Sequence, residues 1–249
     1  MSDFHNVPEL LSQTDVIYSR LVELGKPTKF ALTKQKIYKE RGWEPSRPMI
    51  EANFDRELEK LRFFYIPKVF QPGPCFVFPL IDVDGSYRRA QTKPLPGSVL
   101  HNNKTKYYTL GDRDQFIGPT WIGNDISTLV NILETRSVTL VEGGFDLLAC
   151  RLLVPSLPIL SPLTKRIGKK HIIWLRMLGV KRINLLFDHE KSGQGDESMK
   201  YLQEDLKGFD VSIFEQTGGG EDPSGALKSL RSARNLYNML IQMEVPGVR

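Results

Sequence analysis

From Ser137 onward the apolar positions fall into short strand-like runs separated by helix-length stretches. The pattern predicts strands at Val138–Val141, Leu157–Leu160, Arg182–Phe187 and Val211–Phe214. Helices are predicted at Phe145–Leu153, Lys165–Leu178, Glu197–Leu206 and Gly225–Met243. Strands that alternate with helices imply a parallel sheet covered on both faces. The segment to about Met49 reads as helical. Val16, Ile17, Leu21, Val22 and Leu24 recur at helical spacing, Gly25-Lys26-Pro27 stops that pattern, and a second stretch, Thr33–Arg41, ends at Gly42. Pro45 and Pro48 predict a connector. Phe54–Phe64 is again amphipathic, with Asp55, Glu57, Glu59 and Lys60 as its polar face. Between these helices and Ser137 the texture is β-like: Cys75–Ile81, then Asp-Gly at Asp84-Gly85 as a hairpin signal, a return strand Tyr87–Thr92, and a basic aromatic run Lys104–Tyr108. The expected architecture is therefore α/β, or α+β over the whole chain. A helical segment (1–62) leads into a small basic mixed lobe (63–136), a parallel-sheet domain flanked by helices (137–228) and a C-terminal helix (229–249).

Charge sharpens this outline. The chain of 249 residues carries a formal net charge of +5, a modest excess whose distribution matters more than its size. Ser86–Arg113 holds Arg88, Arg89, Lys93, Lys104, Lys106 and Arg113 against one acid, Asp112; Leu163–Arg182 holds seven basic residues and no acid. Basic stretches of this kind suit a phosphate-backbone polymer, although solvated faces produce them too. No apolar run reaches membrane-span length and the N-terminus has no signal pattern, so a cytoplasmic protein without a membrane partner is expected. Two cysteines, Cys75 and Cys150, exclude an intrachain Cys₄ zinc site and do not suggest a disulfide framework.

Three acidic clusters each follow a predicted strand: Glu142-Gly143-Gly144-Phe145-Asp146, Asp188-His189-Glu190 and Glu221-Asp222-Pro223-Ser224. Carboxylates at strand ends converge on one rim of a parallel sheet, where α/β folds hold their sites. Gathered there they repel one another, which implies a divalent cation, Mg²⁺ or Mn²⁺. Taken singly, each cluster has a plainer reading: Asp146 as a helix cap, Asp188 and Glu190 as an acidic loop, and Asp222 as an N-cap.

Together these motifs resemble the Toprim domain, shared by DnaG-type primases, topoisomerases, OLD-type nucleases and small ribosomal-RNA maturation nucleases. The continuation Phe145-Asp146-Leu147-Leu148-Ala149 and the element Glu221-Asp222-Pro223 resemble the primase branch. So do Phe78-Pro79-Leu80-Ile81, the arginine-bearing return strand and Lys104-Thr105-Lys106-Tyr107 in the preceding lobe. The resemblance covers about residues 63 to 228. It implies a primase catalytic core that makes short RNA primers on a single-stranded DNA template from NTPs. A replicative helicase and a separate template-recognition module are further implied partners. Glu142, Asp188 and Glu190 are the implied catalytic residues; Glu142, Asp146, Asp188, Glu190 and Asp222 are the implied metal ligands. Arg88, Arg89, Lys93, Lys104, Lys106 and Tyr107 are the implied nucleic-acid or nucleotide contacts. Two departures stand out: Glu190 replaces a more usual Asp, and Ser224 stands where primases usually carry another acid. No zinc-binding module precedes the core, so zinc is not expected, and either a reduced phage- or plasmid-type primase or a subunit that borrows those parts is. A Toprim nuclease and a catalytically weak DNA-binding replication subunit are the alternatives.

Overall fold

The computed structural model describes residues 27–67, 73–81, 87–101, 107–110, 119, 121–163, 167–187, 204–214 and 222–244. It opens with two helices, α1 (Pro27–Arg41) and α2 (Arg47–Leu61). Pro27 opens α1 where a helical N–H is not needed. Gly42, at φ +68°, turns the chain out at the other end, and the Trp43 N–H closes back on the Tyr38 carbonyl at 3.1 Å. The prolines expected to mark a connector do something different. Pro45 lies in one 3₁₀ turn, Glu44–Ser46, and Pro48 lies in the first turn of α2. Helix α2 therefore starts well before Phe54, and it buries Ile50, Phe54, Leu58 and Leu61 along one face.

The lobe is an antiparallel sheet of β1 (Phe64–Ile66), β2 (Cys75–Ile81), β3 (Tyr87–Pro94) and β4 (Tyr108–Leu110), in that spatial order. Strands β2 and β3 pair from Cys75↔Pro94 to Ile81↔Tyr87 with an irregularity at Leu80/Ile81, as the Asp-Gly signal between them anticipates. One helix among the described residues was not anticipated: α3 (Ile126–Thr135). Asp125 caps it, accepting from the Thr128 N–H at 3.3 Å and from the Ser127 and Thr128 hydroxyls.

The second sheet is parallel throughout. Its strands β5 (Ser137–Val141), β6 (Ile159–Leu160), β7 (Arg182–Leu186) and β8 (Asp210–Ile213) lie in the order β6-β5-β7-β8. Helices α4 (Gly144–Leu153) and α5 (Lys169–Met177) make the crossovers between β5, β6 and β7. The expected final helix is broken. A short turn, α6 (Pro223–Ala226), precedes α7 (Leu230–Glu244), because the Ser229 hydroxyl accepts the Ser232 N–H at 3.1 Å and starts a new helix. Both faces of the sheet are covered. Val138, Leu140, Ile183 and Leu185 pack with Trp121, Leu160 and Leu175 on one side. On the other, Val141 and Leu186 join one continuous core that runs through α4 and α7 to Phe54 and Trp43.

Every residue of α4 is buried, including Arg151, which is 1% exposed. Arg151 is neutralised by two acids from other helices: Nε donates to Glu57 at 2.7 Å and Nη1 to Asp125 at 2.5 Å. Glu57, expected on a polar face, is thus fully buried, because its partner lies inside the core rather than in solvent. Burial alone would push the Asp125 carboxyl up; the Arg151 charge and the hydrogen bonds from Arg151, Ser127 and Thr128 outweigh it and hold it below the usual range.

Two outcomes follow from this triad. Arg151→Ala strands Glu57 in the core and should cost about 3–5 kcal/mol, read as a lower urea midpoint at unchanged slope. Because the folded pKa of Asp125 is depressed, its contribution is present above the unfolded carboxylate pKa and is lost as pH falls through the folded one. The wild type should therefore lose more stability below about pH 4 than Asp125→Asn does, measured by urea unfolding across that range.

Candidate functional site at the parallel-sheet rim

Strand β5 turns toward β6 on one side and, after α5, the chain returns to β7 on the other, so the connections diverge between β5 and β7. Crevices at such divergence points, beyond the carboxyl ends of the strands, are where open α/β sheets bind ligands. Val141 pairs opposite Leu186. Glu142 follows β5 at this edge, partly exposed, with its backbone carbonyl held by the Ser161 hydroxyl at 2.8 Å. Strand β7 leads to Asp188 and Glu190, which lie outside the described residues.

The first and third acidic clusters are brought together through Asp146. Its Oδ2 accepts the Gly143 N–H at 3.1 Å and its Oδ1 accepts the Ser224 N–H at 3.2 Å. The carboxylate thus staples the β5–α4 turn to the start of α6, and it is 8% exposed. Asp222 caps α6 through the Gly225 N–H and stays partly exposed. Ser224 is fully buried. Its carbonyl accepts from Trp43 Nε1 at 2.8 Å, and its hydroxyl accepts from Arg41 Nη2. Arg41 was not anticipated: it is one charged residue at a helix end, and nothing local marks it as reaching residue 224.

Phe145, at the head of α4, is the point where the lobe meets this rim. Its ring takes edge-on contacts from Phe78 at 5.0 Å, Phe76 at 5.1 Å and Trp43 at 6.1 Å. Two cations also approach it, Arg41 at 4.6 Å and Lys93 at 5.5 Å from the centroid. Lys93 also lies 5.4 Å from the Tyr107 ring, so two of the expected nucleic-acid contacts meet beside the first cluster. Arg88 and Arg89 are on β3, with Arg89 opposite Leu80. Lys104 and Lys106 lie outside the described residues. Gly144 makes the junction possible, since an added Cβ would stand 2.7 Å from Phe78 Cδ1.

Glu142 and Asp222 supply hard oxygen donors, the chemistry that suits Mg²⁺ or Mn²⁺, with Asp188 and Glu190 as further donors in the sequence. Asp146 suits it less, having one backbone N–H on each oxygen. Among the described residues no group of three or more His, Cys, Asp and Glu side chains is placed to hold a metal. Neither thiol offers a nucleophile: burial pushes Cys75 up to about 12, and burial with the nearby Asp146 charge pushes Cys150 well above its ordinary value. Among the described residues no helix is long and apolar enough to cross a membrane.

A mixed α+β chain whose antiparallel lobe precedes a parallel sheet with acids at its rim has the Toprim-like architecture of primase RNA-polymerase domains. It superposes on a DnaG primase catalytic domain bound to single-stranded DNA with a TM-score of 0.63, at 15% identity, over 96% of this chain and 80% of that one. The zinc-binding and RNA-polymerase domains of the Aquifex aeolicus primase give 0.59 at 20% identity, over 82% of this chain; the chain spans about half (55%) of that two-domain chain. The RNA polymerase domain of Mycobacterium tuberculosis DnaG gives 0.55 at 16% identity, over 91% and 86%. No protein-family model matches the sequence, and no curated protein matches it. At these identities the likeness is one of fold.

The junction yields its own test. Gly144→Ala drives a methyl group into Phe78 and should cost about 1–3 kcal/mol by overpacking, measured as a lower urea midpoint. Pairing it with Phe78→Leu should recover part of the loss, since the ring edge that clashes is then removed.

Proposed function

We propose that this chain is a primase catalytic core that joins NTPs into short RNA primers on single-stranded DNA. The observation that carries the reading is the seating of the basic lobe on the acidic rim, with Lys93 near both the Tyr107 ring and the ring of Phe145, three residues from Glu142. A catalyst of templated phosphoryl transfer needs cationic and aromatic groups for the polynucleotide next to carboxylates for the reacting phosphates. The neighbours of like fold include a primase domain bound to single-stranded DNA, which supports the same assignment.

In this reading a primer 3′-hydroxyl attacks the α-phosphorus of an incoming NTP and pyrophosphate leaves. Glu142 accepts the hydroxyl proton or orients that hydroxyl. Asp188, Glu190 and Asp222 would hold Mg²⁺, which when bound neutralises charge on the triphosphate. Asp146 positions the rim by tying residue 143 to residue 224. Arg88, Arg89, Lys93, Lys104 and Lys106 hold phosphates of template or nucleotide, the arginines bidentately and the lysines as point charges. Tyr107 offers a face on which a base stacks. A DNA-binding replication subunit of low activity is the second reading. Its support is Ser224, which is buried, bonded to Arg41 and without a carboxylate.

One experiment separates the readings. The chain is incubated with single-stranded template, labelled NTPs and Mg²⁺ or Mn²⁺, and products are resolved on a gel. Primer-length products are expected; shortening of the template instead means a Toprim nuclease, and a mobility shift alone means the binding subunit. Asp188→Ala should reduce primer synthesis by at least about a hundredfold with an unchanged unfolding midpoint, given what loss of a catalytic carboxylate costs. Full activity in that variant would overturn the assignment of the middle cluster.

A further inference from the structure

Helix α3 buries Thr128 and Ile132 against the parallel sheet, yet it is apolar on its other side as well. Ile126, Val130 and Leu133 recur there at i, i+4 and i+7, and all three are exposed, Ile126 at 81%. Helix α5 repeats the arrangement: it buries Leu175 and exposes Ile173 at 56% and Met177 at 79%, one turn apart. Every other exposed position of α5 is basic: Lys169, Lys170 and Arg176. The two helices lie on the same side of the sheet, where Ile132 and Leu175 share one core cluster. Their C-terminal ends meet. The Arg136 carbonyl, just past α3, accepts the Lys181 N–H at 2.7 Å, and a Cβ added to Gly179 would stand 2.8 Å from Arg136 Nη1. Leu133 and Met177 each precede that contact by less than a turn. The exposed apolar positions thus form one face on the flank of the sheet rather than at its acidic rim.

Aligned apolar side chains in water favour a partner that covers them, and charge selects which partner. Lys169, Lys170, Lys181 and Arg136 border this face, all exposed, against Glu134 as the one acid of α3. The first three belong to the basic stretch Leu163–Arg182, which primer synthesis leaves unused. A second copy of the chain would set these cations against each other. The exposed centre is aliphatic, so it offers neither rings on which bases stack nor the aromatic anchors of a membrane interface. We infer that the outer face of α3 and α5 docks another protein, through an amphipathic helix with apolar residues along its centre and carboxylates on its flanks. The apolar residues of that helix cover Val130, Leu133, Ile173 and Met177, and its carboxylates meet the lysines at the border.

The full chain is titrated against fluorescein-labelled synthetic helices of about 18 residues, long enough to hold helical structure, and binding is followed by anisotropy. One helix carries leucines at i, i+3, i+4 and i+7 with glutamates on its flanks; the other has lysines in place of the glutamates. The acidic helix should bind, more weakly as salt rises, and the lysine helix should bind at least about tenfold more weakly. Val130→Ser with Met177→Ser, and separately Lys169→Gln with Lys170→Gln, should each weaken the acidic helix by about tenfold. The urea midpoint should not change, because all of these positions are exposed. A wild type that binds neither helix, or both equally, overturns the inference, and so do variants that bind the acidic helix as the wild type does. Phosphatidylglycerol vesicles and an oligothymidine are titrated in parallel. If the same variants lose one of these while the wild type ignores the acidic helix, the face belongs to a membrane or to nucleic acid, and the inference fails. It fails too if sedimentation shows a wild-type dimer that Val130→Ser with Met177→Ser dissociates, which assigns the face to a second copy.

Discussion

The structure depends on how helix α4 is buried. All ten of its residues lie in the interior, so it must be covered on every side, and no single layer can do that. The parallel sheet lies behind it, α2 covers it from the helical lead-in, and α6 and α7 close over it from the C-terminal part of the chain. At its first turn the Phe145 ring receives Trp43, Phe76 and Phe78, one aromatic from the lead-in and two from the lobe. Three parts of the chain that are distant in sequence thereby share one core.

That burial also explains how the charged groups divide their tasks. A charge inside such a core is tolerated only when it is paired, and Arg151 meets the condition with Glu57 and Asp125. Asp146 meets it differently, by accepting two backbone N–H groups, and in doing so it fixes the distance between the first acidic cluster and the third. Glu142 and Asp222 stay partly exposed. Asp146 holds the rim in shape. Among the described residues Arg41 follows neither pattern: it donates to the Ser224 hydroxyl and lies over the Phe145 ring.

Much of this was legible in the chain. The strands Val138–Val141 and Arg182–Phe187 are short apolar runs ending in acids, and their parallel pairing and common edge follow from the helix-length segments between them. The cap roles of Asp146 and Asp222 were legible too, since a carboxylate in a first turn or before Pro is a local signal. Helix α3 was not anticipated, although Ile126, Leu129, Val130 and Leu133 recur at helical spacing. Its start is set by Asp125, whose capping bonds depend on side-chain geometry. Pro48 misled because proline breaks a helix interior but suits a first turn, and only the position of Ser46 and Arg47 tells the two apart.

By itself, the sequence determined the periodicities, the order of lobe and parallel sheet, and the placement of each acidic cluster after a strand. These depend on residues within a few positions of one another, where propensity and alternation act. Tertiary structure alone decided which distant polar groups meet. Glu57 with Arg151 is a pairing across 94 positions, and Arg41 with Ser224 one across 183. No local rule reaches so far, because such contacts exist only once the burial of α4 has drawn the helical lead-in, the lobe and the C-terminal helices around it.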